Sequence, residues 1–188
     1  MNDFDAVLSE NRGLEYLGLA PFLRASIAGK DLRMATQQML QRLAEDHSNP
    51  KLLMNLSIAA QCLNQKELGL EFQREALSMQ QTYTLPASVQ PARIRLLMLA
   101  TQGSIQSNTP LDCLLEKSDV ELVFHYISAA DNLLASVPEH DLLFVGISDS
   151  DANRGLLQTL GEQLQGWPKP VLNAPQYLHL TGRACWHR

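Results

Sequence analysis

Three apolar runs in the second half of the chain constrain its fold most. Ile94 to Ala100 (I-R-L-L-M-L-A) is too continuous for a strand with one wet face, and Val120 to Ile127 (V-E-L-V-F-H-Y-I) and Asp141 to Ile147 (D-L-L-F-V-G-I) read as the second and third strands. Runs of this kind are buried on both faces, as strands of parallel sheets are. A shorter fourth strand is expected over Pro170 to Asn173. Parallel neighbours need crossovers. Helices over 110–116 and 152–165 supply two, and the loop from Ser128 to His140 stands in for the other. Thr109-Pro110 is a helix start, with threonine as N-cap, proline at the first helical position and Asp112 near the positive end. Ser150 or Asp151 is expected to cap the helix that runs to about Gln165.

The first half has helical spacing instead. Leu14 to Ala28 is apolar at Leu14, Leu17, Leu19, Phe22, Leu23 and Ile27, and Gly29 ends it. Asp31 can cap a second helix to about Asp46, with Leu32, Ala35, Met39, Leu40 and Leu43 on one face. Ser48-Asn49-Pro50 is a stop and restart, followed by helices from Lys51 to about Asn64 and from Lys66 to about Thr82. Leu85 to Pro91 reads as a linker. The expected organisation is a helical domain over 1–84, a linker over 85–91 and an α/β domain over 92–188.

Composition narrows the partners. The chain has 188 residues and a formal charge of −5 shared between its halves, so no segment can neutralise a row of phosphates; nucleic acid is not expected as a partner. The three cysteines are odd in number and far apart, which fits a reducing compartment. No apolar run is long enough to span a bilayer, and the start M-N-D-F-D lacks the apolar core of a secretory signal. A cytoplasmic protein without membrane contact is the expectation.

Ligands of open parallel sheets collect beyond the C-terminal strand ends. Three segments are expected there. In the first, T-Q-G-S-I-Q-S-N-T, Gly103 and Ser104 allow close backbone approach, and Asn108 and Thr109 precede a helix that offers free N–H groups to a carboxylate or phosphate. A capped loop with no ligand explains the same residues. In the second, S-D-S-D-A-N-R, Asp149 and Asp151 suit a cation or an amine, or simply a helix N-terminus, and Arg154 suits an ion pair with Asp151. The third is Asn173, a turn residue by type. No catalytic residue is assigned. No Walker A or G-x-G-x-x-G stretch is present, Cys185 and His187 are two metal ligands rather than four, and no metal site is assigned. His125 falls within a strand and His140 just before one.

In the helical half a shift of 34 residues aligns Phe22 with Leu56, Ala35 with Gly69 and Leu43 with Leu77. With Ala60 and Ala76, this pattern resembles the tetratricopeptide repeat; an ordinary αα-hairpin bundle fits as well. Lys51 and Asn55 stand where peptide-carboxylate clamps of such repeats place their residues, whereas the other copy has Leu17 and Pro21. A protein partner or self-association through this half is expected.

The second half resembles the N-terminal domain of ATP-grasp carboxylate–amine ligases. The residues that carry the resemblance are S-N-T-P-L (Ser107 to Leu111), G-I-S-D-S-D-A-N-R (Gly146 to Arg154) and W-P-K-P-V-L-N-A-P (Trp167 to Pro175). The resemblance implies a scaffold and substrate-side portion of such a ligase, truncated before the ATP-binding part and not catalytic alone. ATP and magnesium would belong to a following ATP-grasp domain. The tail T-G-R-A-C-W-H-R carries none of that part's pattern. The fold class expected is therefore tetratricopeptide-like helical hairpins followed by a four-stranded Rossmann-like parallel sheet. The alternative function is a non-enzymatic protein-interaction module built on the helical half, and a third reading is a small-molecule-binding α/β domain with no chemistry.

Overall fold

The structure is a computed structural model, and it describes residues 15–46, 48–128 and 137–178. Leu14, most of the loop after Ser128, and the tail with Cys185 and His187 lie outside these residues. The chain divides into two compact units. The first runs to Leu85 and also takes in Asp112–Glu116; the second holds Pro86–Leu111 and the residues from Lys117 onward.

The first unit is helical: α1 (Ala20–Ile27), α2 (Leu32–Glu45), α3 (Pro50–Cys62) and α4 (Lys66–Met79). Asp31 accepts a hydrogen bond from Arg33 N and Asn49 one from Leu52 N, so both helices start on side-chain caps. Pro50 takes the first helical turn of α3, where its missing N–H costs nothing. α1 begins at Ala20, later than the apolar spacing from Leu14 suggests. Gly18 takes a left-handed φ of +71°, which interrupts any helix arriving from upstream. The 34-residue pairs share their environments: Phe22 and Leu56 are fully buried, Ala35 and Gly69 are buried, and Leu43 and Leu77 are half-buried. At Gly69 an added Cβ would lie 2.8 Å from the Ser57 carbonyl oxygen, so α3 and α4 cross at backbone distance.

The sheet has five strands rather than four: β1 (Thr82–Leu85), β2 (Ile94–Thr101), β3 (Val120–Ile127), β4 (Leu142–Val145) and β5 (Val171–Leu172), in the order β1-β3-β2-β4-β5. The unforeseen strand is T-Y-T-L, which lies across the expected end of the fourth helix at about Thr82 and the expected start of the linker at Leu85. Its alternation of threonine with buried Tyr83 is a strand's, and β-branched and aromatic side chains favour that pleat. The other four strands are parallel. β2 lies between β3 and β4, with Leu99 opposite both His125 and Val145, and β4 pairs with β5.

Two further helices follow strands in this unit, α6 (Arg154–Gln163) after β4 and α7 (Pro175–Leu178) after β5; α5 (Leu111–Leu115) belongs to the first unit. α6 covers one sheet face. Its Leu157 and Leu160, with Leu164 just beyond, pack on Leu97, Leu99, Val123, Ile127, Leu143, Val145 and Ile147. Fully burying each leucine contributes about 1.5–3 kcal/mol. α6 starts two or three residues later than a Ser150 or Asp151 cap would place it. Ser150 to Asn153 instead form a turn, with Asn153 N bonded to Ser150 O at 3.0 Å and the Asn153 side chain donating to Ser148 O at 2.9 Å.

Candidate functional site

Parallel pairing brings the C-terminal ends of β2, β4 and β5 to one edge of the sheet. After β2 the chain goes to one side, into β3, and returns on the other as β4. That reversal opens a crevice where open sheets bind ligands. Here the chain itself occupies it. Asn108 bridges to Ile147. Thr109 N donates to Gly146 O at 2.7 Å, Ser148 N to Ser107 O at 3.0 Å, and Ser148 Oγ to Gln106 O at 2.8 Å.

The residues named for the loop after β2 serve that closure. The Asn108 amide accepts from Thr101 N and donates to Thr101 O, both at 2.8 Å, and so locks the loop as a strand partner would. Gly103 has φ +154° and leaves no room for a Cβ against Ser107. Ser104 Oγ lies 3.4 Å from Ser107 Oγ. Asn173 takes a left-handed φ of 54° and donates to Val145 O at 2.7 Å. Asn108, Thr109 and Asn173 therefore converge on the end of β4, where each is engaged by the chain.

Open space lies beside them. A groove of about 640 Å³ runs between α6 and α7, lined by Asp149, Arg154, Gln158, Glu162, Gln165 and Gln176 over a floor of Leu157, Gly161 and Pro175. Of the seven residues expected around a ligand, Asp149 alone lines it. Asp151 is exposed and ion-paired with Arg154, as their spacing suggests. Of the groove's other polar side chains the sequence reading names Arg154, as a partner of Asp151, and passes over Gln158, Glu162, Gln165 and Gln176. Their signal is the four-residue step Arg154, Gln158, Glu162, which stacks them on one helix face.

Among the described residues, His140, Arg95 and Glu121, Cys62 and Cys113 are engaged by the fold. His140 is buried; its Nδ1 donates to Pro138 O at 2.8 Å and its Nε2 accepts from Trp167 Nε1 at 3.3 Å, which spends both ring nitrogens. Glu121 bonds Arg95 and holds that guanidinium above its ordinary value. Burial raises the Cys62 thiol. Burial, then the charges of Asp112 and Glu116, push the Cys113 thiol up to about 11. Neither thiol is a ready nucleophile. Among the described residues no group of three or more His, Cys, Asp or Glu could hold a metal ion, and no helix is long and apolar enough to cross a membrane.

In the first unit Lys51 and Asn55 face a segment of their own chain. Lys51 pairs with the Glu15 carboxylate. Asn55, with no exposed surface, accepts from Leu17 N at 2.9 Å and donates to Glu15 O at 2.6 Å.

Comparison with protein-family models, with curated proteins and with solved structures gives no match.

Proposed function

We propose that the chain is the substrate-side and scaffold portion of an ATP-grasp-like carboxylate–amine ligase, without catalysis of its own. The observation that supports this reading is the charge pattern of the groove. Arg154 suits a carboxylate, and Asp149 and Glu162 suit an ammonium group, in a space of about 640 Å³. A substrate that carries both groups, such as an amino acid or a short peptide, matches that lining. The exposed pair of Arg154 with Asp151 is worth little in water, so the guanidinium can exchange partners. ATP and magnesium fall outside this chain's part in the reading. The loop after β2 spends its backbone on the end of β4 rather than on a phosphate.

Calorimetry on the full chain tests it. A zwitterionic dipeptide is expected to bind with a dissociation constant on the order of 1 mM, about −4 kcal/mol. Arg154→Ala and Glu162→Gln should each abolish the signal, and magnesium-ATP should give none. Micromolar ATP binding, or no dipeptide binding, would overturn the proposal.

A further inference from the structure

We propose that the groove along α6 measures length, and that it takes a linear tripeptide with its carboxylate at Arg154 and its ammonium group at Glu162. The inference rests on the reading of this groove as the substrate site. It adds the length and the direction of what lies there.

The spacing of the two charges carries the argument. The lining follows α6 from Arg154 in its first turn to Glu162 in its last, with Gln165 just beyond. Arg154 and Glu162 stand eight residues apart, close to two whole turns. They therefore share one face and are separated by about 12 Å along the axis. Side chains of one helix lean the same way, so the charged heads keep roughly that separation. An extended chain advances about 3.5 Å per residue. A tripeptide thus holds its terminal charges about 10 Å apart, within reach of both groups. A dipeptide, at about 7 Å, bridges them only if both side chains bend towards it, and a tetrapeptide, at about 14 Å, overshoots.

Other features of the groove suit the same occupant. Gln158 lies midway, four residues from each charge, and its amide can both donate to and accept from a peptide unit. The positive end of α6 lies at Arg154 and the negative end at Glu162, which favours a carboxylate at the first and an ammonium group at the second. Gly161 leaves the floor bare. Glycine weakens a helix interior, and Gly161 has no positive φ to require it. Packing does not require it either. A Cβ there would have Pro175 Cβ as its nearest neighbour, at 3.6 Å, an ordinary contact. What the bare backbone provides is room for a peptide main chain between α6 and α7.

Calorimetry on the full chain with alanine, dialanine, trialanine and tetraalanine tests the proposal. Trialanine should bind about three to five times more tightly than dialanine, the gain from one well-placed exposed charge pair. Tetraalanine should bind no better than trialanine. The linear ω-aminooctanoate has as many bonds between its charges as trialanine but no peptide unit, and it should bind more weakly. Gln158→Glu combined with Glu162→Gln moves the anion one turn closer to Arg154, to about 6 Å, without changing the net charge. Both positions are exposed, so the helix should keep its circular dichroism. This double variant should prefer dialanine. The proposal is overturned if all lengths bind alike, if ω-aminooctanoate matches trialanine, or if the double variant still prefers trialanine. Alanine binding as tightly as trialanine would also overturn it, because Arg154 and Asp149 would then hold both charges of a single amino acid. Binding by none of the peptides would instead remove the substrate reading of the groove, and this inference with it.

Discussion

The carboxylate of Asp112 accepts the backbone N–H of Leu19 at 2.6 Å across 93 positions of sequence. The same oxygen accepts Ala20 N at 3.0 Å. Leu19 is the N-cap of α1 and has no capping side chain of its own, so a residue remote in sequence satisfies the first orphan donors of that helix.

Asp112→Ala removes those acceptors and should cost about 2 kcal/mol or more in chemical denaturation at neutral pH. Asp112→Asn gives the pH signature. Burial raises the Asp112 carboxyl above its ordinary value, and four backbone N–H groups only partly oppose it. The folded state therefore binds that proton more tightly than the unfolded state does. The Asp112 contribution is fully present below the unfolded value and declines as pH rises through the raised folded value. Stability of the natural chain minus that of Asp112→Asn should fall across that window and level off above it. A difference that grows with pH there would show that the N–H donors outweigh burial.

Gly69→Ala separates helix propensity from packing. In an open helix this change is worth up to about 1 kcal/mol of added stability. In α4 the new methyl meets the Ser57 carbonyl at 2.8 Å and the Gln61 side chain at 2.5 Å. The side chain can move, but the carbonyl belongs to α3. A loss of about 1–3 kcal/mol is expected, measured as a lower denaturation midpoint at unchanged slope.

Long-range pairings divide what the sequence could reveal from what it could not. β3 shows its bounds from Val120 to Ile127 because β-branched, apolar and aromatic residues crowd that stretch. Asp31 signals α2 because a cap acts on its own neighbours. β1 escapes because four residues of strand sit directly after an apolar helix period. Asn108 was legible as a loop residue before a helix and Asn173 as a turn residue, both near the sheet's ligand edge, yet their partners, Thr101 and Val145, depend on register. The groove was invisible because Arg154, Gln158 and Glu162 look like any solvated face until α7 lies alongside. Asn55 and Asp112 are single polar residues whose partners lie 38 and 93 positions away, and no local pattern encodes them.

Gly146 tests the stitched crevice. It is buried between β2 and the loop, and a Cβ there would lie 2.9 Å from Met98 Cγ and 3.1 Å from Leu99 O. Gly146→Ala should cost about 1–3 kcal/mol through overpacking. Hydrogen exchange should show where the strain goes. The Thr109 and Ser148 amides, bonded to Gly146 O and Ser107 O, should lose protection while those of central β2 keep it. Unchanged exchange at both amides would mean that the loop is held by Asn108 alone.

Cys113 offers the last test. Its thiol is raised to about 11, by burial first and then by Asp112 and Glu116, with Arg24 opposing. At pH 8 its thiolate fraction is about 0.1%, against roughly 20–25% for a free cysteine with a pKa near 8.5. Iodoacetamide should therefore label Cys113 in the folded chain on the order of 100 times more slowly than in the unfolded chain, read residue by residue by mass spectrometry. The labelling rate should keep climbing between pH 8 and pH 10, where that of a free thiol flattens. Glu116→Gln removes one of the two charges and should speed labelling modestly at pH 8, provided that Arg24, which pairs with Glu116, does not swing away. Arg24→Gln removes the opposing cation and should slow it. If both variants label at the natural rate, burial alone sets the thiol and the neighbouring charges are screened.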